Sequence, residues 1–232
     1  MASRSGISTT FSSSVGQKII IGLTGFLLVL YLLIHIGGNL VIFLGQSAFN
    51  AYAETLEHNH FLLRPIELAL LAVFLVHIYK TLRMFLGNQE TRPTGYAVKK
   101  RAGRPSRKTF ASSTMIVSGL WLLVFLLIHV KAFHEGWGNE YPWAEGGRDL
   151  YRQEFETFSN PLTVIFYVLS MGVVGSHLWH GISSSLQSLG LDHPVWTPRV
   201  LTAGKVVAVL IAGGFMIIAA WVYLQQSGGA RV

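Results

Sequence analysis

Apolar residues gather into five runs, at about residues 16–44, 63–86, 110–131, 161–187 and 203–224, and the stretches between them carry most of the charge. About 20 apolar helical residues cross the hydrocarbon core of a bilayer, and every run reaches that length. The first is the cleanest, with no formally charged residue between Lys18 and Glu54. The pattern predicts an all-α membrane protein, a five-transmembrane-helix bundle forming one integral membrane domain over 1–232. Pro65 and Pro161 fall near the starts of the second and fourth helices, where a missing N–H is tolerated. The polar Ser/Thr-rich stretch from Ala2 to Ser14 reads as a retained cytoplasmic end and not as a signal peptide.

Composition agrees with that class: 51% of residues are hydrophobic, 12% are charged and the mean hydropathy is +0.46. Five spans and their connections use nearly the whole chain, so no soluble catalytic domain is expected. The net charge of +7 reflects topology. The side holding the N-terminus and the connections at 80–108 and 188–205 collects thirteen Lys/Arg against Glu90 and Asp192. The opposite side holds five Lys/Arg against nine Asp/Glu. Basic short loops stay in the cytoplasm, so the N-terminus is expected inside and the C-terminus outside a prokaryotic cytoplasmic membrane. A nucleic-acid role for Lys99-Lys100-Arg101 is therefore not expected. The absence of cysteine excludes disulfides, a cluster ligated by this chain and covalent attachment of haem.

An ionisable residue inside a membrane span is costly and is by default a functional-site candidate. Here His35, His77, His129 and His177 supply one each to the first four helices. A lone histidine in such a place commonly just hydrogen-bonds a neighbouring helix; one on each of four helices asks for another explanation. His35 lies 17 residues beyond Lys18 and His129 lies 21 beyond Lys108, on helices running outwards. Both fall in the outer half. His77, 13 residues after Arg64, and His177, 16 after Pro161, lie on helices running inwards and fall in the inner half. Depth therefore pairs His35 with His129 and His77 with His177.

Two neutral imidazoles on facing helices are the axial ligands that a non-covalent haem requires, and a helix-bundle core is where such sites are built. A flat macrocycle also needs small residues nearby. Gly38 follows His35 by three positions, while Ser170, Gly181 and Ser184 share the face of His177 at −7, +4 and +7. Small residues also serve plain helix packing in lipid. A proton relay or metal-ion transporter is the rival reading, but such sites recruit intramembrane carboxylates. The one candidate is Glu67, three residues from Arg64.

These residues resemble the single-chain, five-helix, two-haem cytochrome b subunit of succinate:quinone oxidoreductases, the membrane anchor of succinate dehydrogenase or fumarate reductase. The resemblance rests on Leu-Ile-His35-Ile-Gly-Gly-Asn39, Arg64-x-x-Glu67 followed by Val-His77-Ile-Tyr79, Ile-His129-Val, and Ser-His177-Leu-Trp-His180-Gly181 leading to Gln187-Ser-Leu-Gly190. It covers nearly the whole chain. It implies ligation of two haems b by the four histidines, with a flavoprotein subunit and an iron–sulfur subunit docked on the cytoplasmic face. Electrons from succinate would then reach a lipid-soluble quinone through this subunit, with the substrate chemistry elsewhere.

His180, one turn beyond His177, competes for the same iron. In the family pattern the first histidine of the stretch is the ligand, which leaves His180 to a haem propionate, a quinone or a structural role. Ser13, Ser14, Gln17, Ser183, Ser184 and Gln187 gather near the inner ends of the first and fourth helices and are candidate quinone contacts. His58, His60, His134 and His193 are expected in loops or at interfaces. A cytochrome b anchor of a hydrogenase or formate dehydrogenase is a further alternative.

Overall fold

A computed structural model of the chain describes residues 13–91, 110–134, 141–143, 147–191 and 193–227. Five of its helices are long and apolar enough to cross a membrane: α1 (Ser14–Asn39, continued by a 3-10 turn over Leu40–Leu44), α3 (His60–Glu90), α5 (Met115–Phe133), α7 (Pro161–Ser188) and α8 (Thr197–Ser227). Three shorter ones join them: α2 (Gln46–His58), α4 (Phe110–Ser113) and α6 (Leu150–Thr157). The described residues form no strand.

Local chemistry sets most boundaries. Ser13 caps α1, its Oγ accepting from Gly16 N at 3.1 Å, and Asn160 caps α7 by accepting from Leu162 N at 2.9 Å, with Pro161 in the first turn. Gly45, at φ 95°, makes the left-handed turn that lets the chain leave the first span and start α2. Several boundaries differ from the sequence pattern: the third span starts at Met115 instead of about 110, after the separate short helix α4, and the second runs on to Glu90 instead of about 86. The second span starts at His60 instead of about 63, so Pro65 lies inside it, and the fifth starts at Thr197 instead of about 203.

α2 and α6 were not expected from the apolar pattern, and together they close one end of the bundle, here termed the far end, opposite the start of α1. Asp149 ties them. It caps α6 by accepting from Arg152 N at 3.0 Å, and its two oxygens also accept from Asn50 Nδ2 and Gln46 Nε2, both at 2.8 Å. Asn50 Oδ1 returns a bond from Tyr151 N at 3.0 Å. The same element caps the end of α5: Gln153 Nε2 donates to Ala132 O at 2.6 Å, and Arg148 donates to the carbonyls of Phe133 and His134. These are the orphan carbonyls that any helix C-terminus must satisfy.

Packing is tightest between α7 and α8, where Gly175 and Gly204 let the helices approach. A β-carbon at Gly204 would come within 2.8 Å of the Ile182 side chain. One buried cluster (Val29, Met171, Val174, Leu178, Ile182, Ala208, Ile211) fills the middle, and another (Ile42, Phe49, Phe155, Phe158, Tyr167, Ile218, Val222) fills the far end beneath α2 and α6. α3 is the peripheral helix; it packs chiefly on α1, and none of its residues is buried.

Candidate functional site

Helix geometry puts the four intramembrane histidines on two levels. At the far level the rings of His35 on α1 and His129 on α5 lie 5.9 Å apart, nearly perpendicular at 85°. Aromatic rings surround them: Tyr31 stacks on His35 at 5.4 Å, Phe125 on His129 at 5.6 Å, and Phe133, Tyr167 and Phe215 complete the shell. His129 Nδ1 is buried without a hydrogen-bond partner.

At the other level, nearer the start of α1, His77 on α3 and His177 on α7 are close enough to interact electrostatically. Thr24 Oγ1 of α1 lies 3.1 Å from His77 Nδ1, and Ser118 Oγ of α5 lies 2.9 Å from His177 Nδ1. Eleven residues separate Thr24 from His35 on α1, and eleven separate Ser118 from His129 on α5. At about 1.5 Å per residue, both helices give the same spacing of roughly 16 Å between levels.

Each level offers two imidazoles, the number of protein ligands that a bis-histidine haem would take. A cation site is built from three or four side chains, and no group of three or more His, Asp or Glu suited to a metal occurs among the described residues. A porphyrin brings its own equatorial nitrogens and needs only two axial imidazoles.

Comparison with family models, with curated proteins and with solved structures finds no match to this chain.

The small residues behave less uniformly than their spacing suggests. The space that Gly38 leaves is taken by Tyr52 of α2, whose Cζ would lie 2.9 Å from an added β-carbon, so Gly38 serves the junction of α1 with α2. Ser170 is buried and accepts from Trp121 Nε1 at 3.0 Å. Gly181 faces open space. Ser184 is half-buried, as is His180, one turn from His177. Among the candidate quinone contacts, Ser13 caps α1 and Ser183 bonds back to His180 O at 2.8 Å. Ser14 begins α1 and is exposed, Gln17 follows one turn on, and Gln187 is exposed near the end of α7.

Other residues bear more directly on the histidines. A β-carbon at Gly25 would meet His77 Cε1 at 3.2 Å and Ser185 Oγ at 3.3 Å, and one at Gly119 would meet His177 Cε1 at 3.7 Å. Neither glycine was singled out by sequence, because each lies on a different helix from the histidine it accommodates. Thr24 and Ser118 escaped for the same reason. Arg64 and Glu67 pair at 2.9 Å in an exposed position near the start of α3. His58 closes α2, His60 opens α3, His134 follows α5 and His193 precedes α8. The basic connection from Arg92 to Lys108 lies outside the described residues.

Beyond the spans, Glu154 is 6% exposed on α6, and burial pushes its carboxyl up to about 8. It sits near Tyr167, whose hydroxyl is buried without a partner.

Proposed function

We propose that this chain is a two-haem membrane cytochrome b, the anchor subunit that carries electrons from the flavoprotein and iron–sulfur subunits of a succinate:quinone oxidoreductase to membrane quinone. The observation that carries the reading is the division of four histidines from four helices into two pairs on two levels. On the charge bias of the loops, the level of His77 and His177 is the cytoplasmic one, nearest the partner subunits, and the C-terminus is outside.

Haem bound at such a pair supplies one-electron ferric/ferrous chemistry. The chain's residues do the rest. Each imidazole offers a nitrogen lone pair from a membrane-spanning helix. Gly25 and Gly119 keep side chains off His77 and His177. The rings of Phe125, Phe133, Tyr167 and Phe215 shield His35 and His129 from water, and the low dielectric they create sets the cost of changing the charge there.

The specific assignment to succinate oxidation rests on the family resemblance of the histidine-bearing segments. A reduced-minus-oxidised absorption spectrum of the purified chain, with haem-to-protein stoichiometry, tests the cofactor: two low-spin haems b per chain are expected. A haem-free preparation would turn the reading towards transport. Reduction of those haems by succinate in native membranes, and co-purification of a flavoprotein with an iron–sulfur protein, test the partner. A hydrogenase or formate dehydrogenase at that place would retain the cytochrome and overturn the substrate.

A further inference from the structure

The two histidine pairs differ in what faces Nδ1. A hydroxyl has one proton and two lone pairs, and a carbonyl can only accept. Thr24 Oγ1 lies 2.7 Å from Ile20 O and 3.1 Å from Ile21 O, so its proton points to its own helix backbone. A lone pair is left for His77 Nδ1 at 3.1 Å, and that contact is a hydrogen bond only if the imidazole carries the proton there. Ser118 repeats the arrangement, with its hydroxyl donating to Met115 O at 3.0 Å and facing His177 Nδ1 at 2.9 Å. A neutral imidazole has one N–H. Fixing it at Nδ1 leaves Nε2 bare.

Among the described residues the far pair has no such acceptor. Asn39 Nδ2 lies 2.8 Å from His35 O, so that atom must be the amide nitrogen, and the same nitrogen is what His35 Nδ1 meets at 3.4 Å. His129 Nδ1 is buried and unpartnered.

We infer that Thr24 and Ser118 are positioning residues that hold His77 and His177 in the tautomer with an unprotonated Nε2, and that they tune this pair alone. The inference rests on the reading of the four histidines as axial haem ligands. An acceptor at Nδ1 makes the imidazole a stronger base at Nε2, which favours the oxidised, more highly charged iron. Each hydroxyl also acts across helices, Thr24 of α1 on a ligand of α3 and Ser118 of α5 on a ligand of α7. The bland alternative is that both hydroxyls only bond back to their own helix, as serine and threonine do throughout membrane spans.

Redox titration of the full-length membrane protein, followed by absorption, separates the two. The component belonging to this pair is the one that disappears in His177→Ala. In Thr24→Val and in Ser118→Ala its midpoint potential should rise, by up to a tenfold change in the one-electron equilibrium or about 59 mV, while the other component stays in place. Thr24→Ser and Ser118→Thr should return it to the wild-type value, which a mere packing defect would not require. Loss of that component alone, restored by the hydroxyl-bearing variants, has the same meaning. Full haem content with both potentials unchanged in Thr24→Val and Ser118→Ala overturns the inference and leaves the cytochrome reading intact, as does movement of the other component. A wild-type chain that binds no haem defeats the ligand reading itself.

Discussion

His35 and His129 share one level and His77 and His177 the other, so single substitutions should sort into two classes. His35→Ala and His129→Ala should each remove one component from a redox titration, and His77→Ala and His177→Ala should each remove the second. If His35→Ala and His77→Ala abolished the same component, the pairing would be wrong. His180→Ala should retain both components with low-spin spectra, since His180 is the second histidine on a helix that already supplies His177. Glu154 makes a different residue-level prediction. Its carboxyl is raised to about 8 from an ordinary value of 4.5, so between those limits the folded protein keeps a proton that the unfolded chain releases. Stability should therefore fall as pH rises through that window and level off above about pH 8, by an amount of the order of a few kcal/mol. Glu154→Gln should flatten the dependence. Thermal unfolding in detergent at pH 5 and pH 8 measures it, and equal slopes for variant and wild type would show that the carboxyl is not held neutral.

At the scale of elements, the closure of the far end depends on Asp149. Its carboxylate caps α6 and accepts from two side chains of α2, one of them the buried Asn50. Asp149→Ala removes the cap and strands at least one buried amide, a loss of roughly 2–4 kcal/mol. Because α6 in turn caps the C-terminus of α5 one turn beyond His129, the variant should loosen the His35–His129 level before the other. Hydrogen exchange at the end of α5 reads this directly; unchanged protection of residues 130–134 would sink it. These elements also mark where the apolar pattern stops being informative. α2 and α6 lie outside the apolar runs, and they fold because Asp149, Asn50 and Gln153 find partners brought together by the spans. Nothing in the spacing of those residues along the chain announces that meeting. The same holds for Gly38, whose neighbour is Tyr52 of α2 and whose nearness to His35 in sequence suggested another role.

At the scale of the molecule, the strongest sequence asymmetry is the basic connection containing Arg92, Lys99, Lys100, Arg101, Arg104, Arg107 and Lys108 with no acidic residue between them. On the proposed orientation this connection is cytoplasmic, and under the proposed function an iron–sulfur partner would dock on that face. Neutralising Lys99, Lys100 and Arg101 together should weaken retention of the soluble subunits as salt rises, because rim charges act through a screened field. Membranes of the triple variant that keep their full succinate dehydrogenase activity after a high-salt wash would leave these charges as a topology signal and a contact for anionic lipid, each worth about 1 kcal/mol near the surface.

The sequence by itself determined the five spans, since a bilayer demands about 20 apolar residues wherever a helix crosses it. It also determined which histidines share a depth, because rise per residue is fixed and direction alternates from one span to the next. Tertiary structure decided what those residues touch. Only packing brings Thr24 against His77 and Ser118 against His177, and only packing leaves His129 Nδ1 alone. Depth is a one-dimensional property that a chain carries along its length. The rotation of each helix about its axis, and hence the partner of each ring nitrogen, is set by close contacts with neighbours remote in sequence.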